Sequence, residues 1–180
     1  MEWNQPRPKE SDLQIRMLAA ADIAARLAKH DPGGFPADDD ECREDIAEVL
    51  RGGRDGYEMA RELEERHSWD RLDMQVARIL DCASSALYEH TERAIEEWVQ
   101  ASGWRPALSV GSRASVSHYD RSARKNVMVE GEICKIDLAT ARYHVFCESL
   151  GHIREDDVRQ KGRTGTLAII VNAETVEPAA

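Results

Sequence analysis

Long apolar runs are missing from this 180-residue sequence. No stretch approaches the roughly 20 consecutive apolar residues that a helix needs to cross a bilayer. The opening segment, MEWNQPRPKESD, has no apolar segment behind its charges, as a secretory signal peptide would require. These absences predict a protein without a membrane anchor, and we expect it to stay in the cytoplasm in which it is made.

Cysteine is scarce and widely spaced. The four cysteines, Cys42, Cys82, Cys134 and Cys147, form no CxxC or CxH pair, whereas zinc sites draw their ligands from such close pairs. The six histidines are scattered as well. We therefore predict no bound metal, and we expect four free, buried thiols, which are usual in a cytosolic chain.

Catalytic signatures are also missing. One uninterrupted helix is predicted over about residues 70–101, and its acidic face lacks the Glu-x-x-His pairs that hold di-iron centres. Ser84 and Ser85 lie within this helix, without the strand-to-helix turn of a nucleophile elbow. The glycines of KGRTGT, residues 161–166, bound a turn and not a phosphate-binding loop. The sequence thus predicts a protein that is not an enzyme and that binds no cofactor.

Charge is abundant but unevenly distributed. Residues 1–104 contain 13 Lys/Arg and 24 Asp/Glu, a net charge of −11, whereas residues 105–180 contain 11 and 10, a net charge of +1. The charge changes where the residue pattern changes, which predicts a chain of two main parts. The predicted parts are a flexible arm at 1–10, an acidic helical domain at 11–103, a β domain at 107–175 and a tail at 176–180.

Apolar residues recur at helical spacing through the first part of the chain. Ser11 with Gln14, and Asp55 with Glu58, have the spacing of capping boxes, so each pair predicts a helix start. The acidic run DDDE at 38–41 predicts a third start, because carboxylates complement the positive end of a helix dipole. With the long helix, these segments predict four helices in a small antiparallel bundle.

Alternating residues replace the helical pattern in the second part, which predicts strands. The alternating segments are ALSVGSRASVSHY, KNVMVEGEICKID, ARYHVFCE and TLAIIVNAE. In the hairpin of the middle two segments, Ile136 is expected opposite Tyr143. Cys134 then lies opposite Val145, and Leu138 joins this pair on the core face.

The β segment also contains a series of short motifs. Gly111 precedes the first strand, Gly131-Glu132-Ile133 opens the hairpin, Tyr143-His144-Val145 completes it, and Asp157-Val158 follows. This series resembles a small SH3-like barrel of the Tudor/KOW kind. The fold class expected is α+β: an N-terminal antiparallel helical bundle followed by a small antiparallel SH3-like β-barrel.

Two blocks of the helical part, DGYEMARELEERHSWD and WVQASGWRP, resemble small accessory proteins of tailed phages and prophages. Those proteins pair a helical segment with a short β module. The resemblance implies a non-enzymatic binding protein in the cytoplasm of a bacterial host. Its partner would be a host protein or protein complex, such as a defence nuclease or a CRISPR complex. The extra N-terminal helices and the basic insertion HYDRSARKN depart from the pattern.

The acidic helical domain offers one candidate interaction surface. Its carboxylates can occupy a basic groove meant for nucleic acid, so the domain is expected to act as a DNA mimic that inhibits a host complex. The simpler alternative is that the same charges only keep the protein soluble. The candidate residues are Asp38, Asp39, Asp40, Glu41, Glu62, Glu65, Glu89, Glu92, Glu96 and Glu97.

The β domain offers an alternative surface, for a nucleic acid or a peptide. Basic groups beside an exposed aromatic ring are typical of contacts with single-stranded DNA or RNA. Three of the basic residues are expected in a mobile loop between the first two strands, namely Arg121, Arg124 and Lys125. The full candidate set is Arg113, Tyr119, Arg121, Arg124, Lys125, Lys135 and Arg142.

Tryptophan is used four times, at Trp3, Trp69, Trp98 and Trp104. Trp98 lies on the apolar stripe of the long helix and Trp104 between the two domains, so both are expected to be packed. Trp3 lies on the arm, where burial within the chain is not expected. It would dock on a partner or on a second copy, which makes a homodimer one of the assemblies considered.

Overall fold

The computed structural model describes residues 6–35, 39–50, 54–70, 72–152 and 168–179. The fold is α+β, as predicted, with helices preceding an antiparallel sheet. The chain divides into two compact units, residues 1–98 and 99–180. Trp3, the segment KGRTGT and the motif Asp157-Val158 lie outside the described residues.

The described residues contain five α-helices: α1 (Leu13–His30), α2 (Asp40–Val49), α3 (Gly56–His67), α4 (Met74–Leu80) and α5 (Ala83–Ser102). Each of the first four helices contributes apolar side chains to one core. Ile23, Leu27, Ile46, Leu63 and Leu80 have no solvent-exposed surface. Burying a side chain of this size stabilises a fold by roughly 1.5–3 kcal/mol, so this shared core holds the helices together. None of the described helices is long and apolar enough to cross a membrane.

Side-chain caps set two helix starts as predicted. At α3, the Asp55 carboxylate accepts the Glu58 N–H at 2.8 Å, and the Glu58 carboxylate accepts the Asp55 N–H at 3.4 Å. At α2, Asp39 accepts the N–H groups of Glu41 and Cys42 at 3.0 and 3.4 Å. These bonds satisfy backbone donors that a helix leaves without an internal partner.

The predicted capping box of the first helix is wrong. α1 begins at Leu13 with Asp12 at the N-cap position, and no side chain caps it. The Asp12 carboxylate instead accepts the Lys9 N–H at 2.9 Å, within the preceding turn. A local hydrogen bond of this kind competes with helix capping, and it displaces the start from the expected Ser11.

The uninterrupted helix predicted over residues 70–101 is also wrong. It is divided into α4 and α5 at Asp81 and Cys82. The Asp81 carboxylate accepts the N–H of Gly56, the first residue of α3, at 2.5 Å, and the Cys82 N–H makes a tight-turn bond to Ile79. A β-carbon at Gly56 would overlap the Ala77 carbonyl oxygen. The break therefore depends on a close approach between α3 and α4.

Five antiparallel strands form the sheet: β1 (Arg113–Asp120), β2 (Lys125–Asp137), β3 (Arg142–Phe146), β4 (Ile169–Asn172) and β5 (Glu177–Pro178). Their order is β4-β3-β2-β1-β5, and within the described residues the sheet is open, with β4 and β5 at its edges. A 3₁₀ turn, Ala173–Thr175, separates the two edge strands along the chain. β5 lies in the segment that the sequence predicted as a tail.

The β2–β3 hairpin differs from its predicted register by one residue. Ile136 lies opposite Tyr143, as predicted, but Ile133 and not Cys134 lies opposite Val145. The extra residue forms a β-bulge at Cys134. On the Ile133 side of this bulge, the residues of β2 lie on the opposite face of the sheet from the one predicted. The expected core position of Cys134 is therefore wrong, and its thiol is exposed.

The core of the second unit lies on the inner face of the sheet. Ile133 and Cys147 are fully buried there. Gly131 is required beneath them, because a β-carbon would come within 2.6 Å of the Phe146 carbonyl oxygen. Leu138, expected in this core, is instead 62% exposed in the turn between β2 and β3.

Two of the tryptophans, Trp98 and Trp104, are packed, and a residue of the N-terminal arm contacts the first of them. The Arg7 guanidinium lies over the Trp98 ring, 5.5 Å from its centroid, so this part of the arm contacts the helical unit. Trp98 is buried, as predicted. Trp104 is also buried and contacts Tyr143 edge-to-face, with ring centroids 6.2 Å apart.

Candidate interaction surfaces

Negative charge is concentrated along α2. Asp40 forms an ion pair with Arg43 at 3.2 Å, the one basic side chain of this helix. Asp38, a predicted site residue, lies outside the described residues. We call the following six carboxylates the α2 patch: Asp39, Asp40, Glu41, Glu44, Asp45 and Glu48. Glu44, Asp45 and Glu48 were missed by the sequence prediction, although their i, i+4 spacing places them along the same helix as the predicted residues.

A cleft of about 220 Å³ opens beside the α2 patch. Phe35 and Trp69 form an aromatic wall, with ring centroids 5.3 Å apart. Four carboxylates contribute to the lining of this α2 cleft, namely Asp39, Glu41, Asp45 and Asp70. Only Asp39 and Glu41 were predicted, because Asp45 lies beyond the acidic run at the start of α2 and Asp70 lies in the segment after α3.

Asp45 organises the inner part of the α2 cleft. One carboxylate oxygen accepts the Trp69 indole N–H at 2.9 Å, and the other lies 2.6 Å from Nδ1 of His67. Nε2 of His67 is buried without a hydrogen-bond partner among the described residues, and the Glu48 carboxylate lies 3.9 Å from it. Asp45 thereby fixes the Trp69 ring in the cleft wall.

The electrostatic potential in the α2 cleft is negative. Burial raises the pKa of the Cys42 thiol, and the carboxylates of Asp39 and Asp45 raise it further, to about 11. The thiol is therefore fully protonated at neutral pH. The charges of Asp39 and Asp45 disfavour a thiolate because they are negative, and the same charges attract a cation.

A second acidic surface lies on α5. Glu89, Glu96 and Glu97 are exposed, and Glu92 is half-buried between them. Their spacing places all four carboxylates on one side of the helix, together with Arg93. The structure therefore brings these four predicted site residues together.

Glu62 does not project into solvent as predicted, whereas Glu65 does. Glu62 was expected to project into solvent, but its side chain is only 13% exposed and forms ion pairs with Arg54 and, at 2.8 Å, with Arg66. Glu65 is exposed and pairs with Arg61 at 2.7 Å. The expectation of an outward-projecting Glu62 is wrong, because two arginines hold its carboxylate against the helical unit.

Four of the predicted basic-site residues meet at the tip of the β1–β2 hairpin. Tyr119 is the second-last residue of β1, Arg121 and Arg124 lie in the turn, and Lys125 is the first residue of β2. The Asp120 carboxylate accepts two backbone N–H groups of the turn, at 2.8 and 3.1 Å. The expected mobile loop is thus a four-residue turn, 121–124, closed by Asp120, and placing Lys125 in a loop is wrong.

The other three predicted basic residues lie elsewhere on the sheet. Arg113 forms an ion pair with Glu130 at 3.0 Å, at the opposite end of β1 from the turn. Lys135 and Arg142 lie on β2 and β3, beyond the bulge, and Arg142 is opposite Asp137. The structure therefore divides the predicted basic surface into a cationic hairpin tip and separate positions that acidic residues accompany.

Two histidines of the sheet unit have a pKa below the usual value for histidine. Burial lowers the pKa of His144, and the neighbouring charge of Lys135 lowers it further. Burial also lowers the pKa of His152, as does His118. Across the described ranges, no group of three or more His, Cys, Asp or Glu side chains is placed to hold a metal ion.

Comparison of the chain with protein-family models, with curated proteins and with solved structures found no match.

Proposed function

We propose that this is a non-enzymatic binding protein whose acidic helical unit engages a basic surface of another protein. The α2 cleft is the observation that carries the proposal. A lysine or arginine side chain of the partner would place its charged group among the carboxylates of Asp39, Glu41 and Asp70. Its alkyl stem would lie against the Trp69 ring and bury apolar surface there. A basic side chain of the partner would thus use both the carboxylates and the aromatic ring of the α2 cleft.

The partner that fits best is a host complex with a groove for nucleic acid. Exposed carboxylates along α2 and α5 form rows of negative charge, as phosphates do along a nucleic-acid strand. Long-range attraction toward a basic groove would speed association. The resemblance of the helical blocks to phage accessory proteins supports an inhibitor of a host defence complex, of the anti-CRISPR kind.

We also propose that the sheet is a partly closed SH3-like barrel and that the helices form an antiparallel bundle. In a flat sheet, β4 and β5 would be four strand spacings apart, about 19 Å. The chain joins them through residues 173–176, three of which form a 3₁₀ turn that rises only about 2 Å per residue. The two edges must therefore approach each other, and the bulge in β2 is a means of bending the sheet.

The function is tested by capturing the partner from bacterial lysate on the tagged full-length chain and measuring association rates with the purified partner. The α2 variant combines Asp40→Asn, Glu41→Gln and Glu44→Gln. These changes remove exposed charges, so each should alter stability by no more than ~0.5 kcal/mol. We expect the α2 variant to associate several-fold more slowly, and we expect duplex DNA to compete with the wild-type chain.

A control variant removes the same number of carboxylates from the sheet unit, by Glu130→Gln, Glu148→Gln and Glu177→Gln. It should associate at nearly the wild-type rate, because the proposed contact belongs to the helical unit. If the α2 variant and the control associate equally fast at every salt concentration, or if DNA does not compete, the proposed mimicry is wrong.

A further inference from the structure

The β1–β2 hairpin extends beyond the rest of the sheet. β5 pairs with β1 only at Ala114 and Ser115, and β3 pairs with β2 only from Glu132 onward. In the part of the chain that the structure describes, residues 116–120 and 125–129 therefore pair only with each other. At about 3.3 Å per residue, residues 116–120 make this two-stranded ribbon about 16 Å long.

The tip of this ribbon is a local positive charge in an acidic chain. Arg121, Arg124 and Lys125 are exposed and form no ion pair with a described carboxylate. Asp120 lies opposite Lys125, and its carboxylate accepts two N–H groups of the turn, so residues 120–125 carry three positive charges and one negative charge. Glu130 is the next acidic residue along β2, about 16 Å from Lys125. This exceeds the Debye length of about 8 Å at physiological salt, so Glu130 does not cancel the net charge of +2 that residues 120–125 carry.

An apolar surface adjoins these cations on the outer face of the ribbon. Tyr119 is 54% exposed and Met128 is 58% exposed. Met128 lies opposite Ser117, which shares a face with Tyr119, so the ring and the thioether are diagonal neighbours. An exposed ring with a polarisable neighbour is a surface on which an unpaired base can stack.

We propose that the ribbon tip binds single-stranded nucleic acid. Tyr119 stacks on a base, while Arg121, Arg124 and Lys125 contact the phosphates on either side of it. The contact reads no sequence, because stacking and phosphate pairing are available to every base. A duplex offers no unpaired base to Tyr119, so single strands are preferred. This activity belongs to the sheet unit and is separate from the function proposed for the acidic helices.

The test uses the full-length chain and a fluorescein-labelled 12-nucleotide single strand of mixed sequence, as DNA and as RNA, with the DNA duplex for comparison. Anisotropy titrations give Kd between 50 and 200 mM salt. Three phosphate contacts on a single strand predict a slope of log K against log salt of about −2. Affinity should then fall roughly 20-fold over this range.

Two variants separate charge from stacking. The tip variant combines Arg121→Gln, Arg124→Asn and Lys125→Gln; Asn is chosen because Arg124 has a φ of 50°, a conformation that Asn tolerates. It should bind weakly, with a salt slope near zero. Tyr119→Thr should weaken binding about tenfold and leave the slope unchanged, because it removes stacking and no charge.

A matched control removes the other three predicted cations, by Arg113→Gln, Lys135→Gln and Arg142→Gln, and should bind the single strand almost as wild type does. Circular dichroism melts confirm that each variant is folded.

The proposal is overturned if the wild-type chain does not bind the single strand at 50 mM salt, or if the tip variant keeps the wild-type salt slope. It is also overturned if the control variant loses as much affinity as the tip variant, or if the duplex binds as tightly as the single strand. It is equally overturned if the tip drives only self-association or peptide binding. The α2 variant should bind the single strand as tightly as wild type does. A negative result in this titration therefore contradicts the proposal for the ribbon tip and does not bear on the function proposed for the acidic unit.

Discussion

At the scale of single residues, the four thiols differ in how far they are buried. Cys42 and Cys147 are buried, as the sequence predicted, Cys82 is half-buried, and Cys134 is exposed at the β-bulge. Hydrophobicity alone cannot separate them, because a one-residue bulge decides which face of β2 Cys134 occupies. The expectation of four buried thiols is therefore wrong for Cys134 and Cys82.

This difference predicts an order of chemical reactivity. Iodoacetamide at pH 8 should label Cys134 first and Cys42 last, because thiolate is the reactive species and a pKa of about 11 keeps Cys42 protonated. A labelling time course with peptide mass spectrometry measures the order. Cys134→Ser should remove the fast phase. Labelling of Cys42 as fast as that of Cys134 would contradict the buried, negative environment of the α2 cleft.

A second residue-scale prediction concerns His152. Its Nδ1 accepts the Cys147 N–H at 3.0 Å, which only the neutral ring can do. Burial, followed by the effect of His118, lowers its pKa below the usual value near 6.5. The unfolded chain therefore binds this proton more readily than the folded chain does. The stabilising contribution is complete above pH 6.5 and is lost as the pH falls through the folded pKa.

The measurement is urea unfolding of wild type and His152→Asn at pH 7, 6 and 5. Asn supplies an acceptor oxygen near the position of Nδ1 but does not titrate. Relative to the variant, wild type should lose stability on acidification. If the difference between the two proteins is the same at every pH, the neutral His152 bond does not contribute as described.

At the scale of elements, the start of α3 depends on the absence of one side chain. A β-carbon at Gly56 would overlap the Ala77 carbonyl oxygen and come within 2.6 Å of the Asp81 backbone nitrogen. Both obstacles are backbone atoms, which cannot rotate away. Gly56→Ala should therefore lower the free energy of unfolding by about 2–3 kcal/mol, in the range of overpacking changes.

Gly33→Ala is the matched control in the same unit, since its nearest neighbour would be a flexible Asp31 oxygen at 3.7 Å. It should change stability by no more than ~0.5 kcal/mol. Thermal and urea unfolding of the two variants give the comparison. Equal stabilities would mean that α3 and α4 do not approach as closely as the structure places them.

Features of the elements that depend on neighbouring residues could be predicted from the sequence, whereas features that depend on tertiary packing could not. The Asp55/Glu58 capping box and the limits of β2 depend on neighbouring residues, and both were predicted correctly. The division between α4 and α5 was missed because Asp81 caps α3, which lies 25 residues earlier in the chain. The acidic run predicted part of the α2 patch, but Trp69 and Asp70 join the cleft only through tertiary packing, which no local spacing encodes.

At the scale of the whole molecule, charge is distributed between two units of different kind. The α2 patch and the cationic tip have opposite signs and belong to separate compact units. A single surface could not attract both a basic groove and a phosphate chain. The net charge of −10 therefore conceals two local potentials, each of which favours a different class of partner.

The last prediction tests this separation with two probes, a deca-lysine peptide and the 12-nucleotide single strand. The α2 variant should lose affinity for the peptide and keep, or slightly gain, affinity for the single strand. The tip variant should do the reverse; removal of three positive charges changes the net charge from −10 to −13, which can only favour the peptide.

A variant that combines both sets of substitutions tests whether the two surfaces act independently. Because the two surfaces share no residue, their effects on each probe should add within about 0.5 kcal/mol in a double-mutant cycle. Anisotropy titrations of both probes at several salt concentrations provide all four corners of the cycle. Strong coupling between the two sets of substitutions, or loss of peptide binding in the tip variant, would mean that both probes bind one common surface. The assignment of separate binding surfaces to the two units would then be wrong.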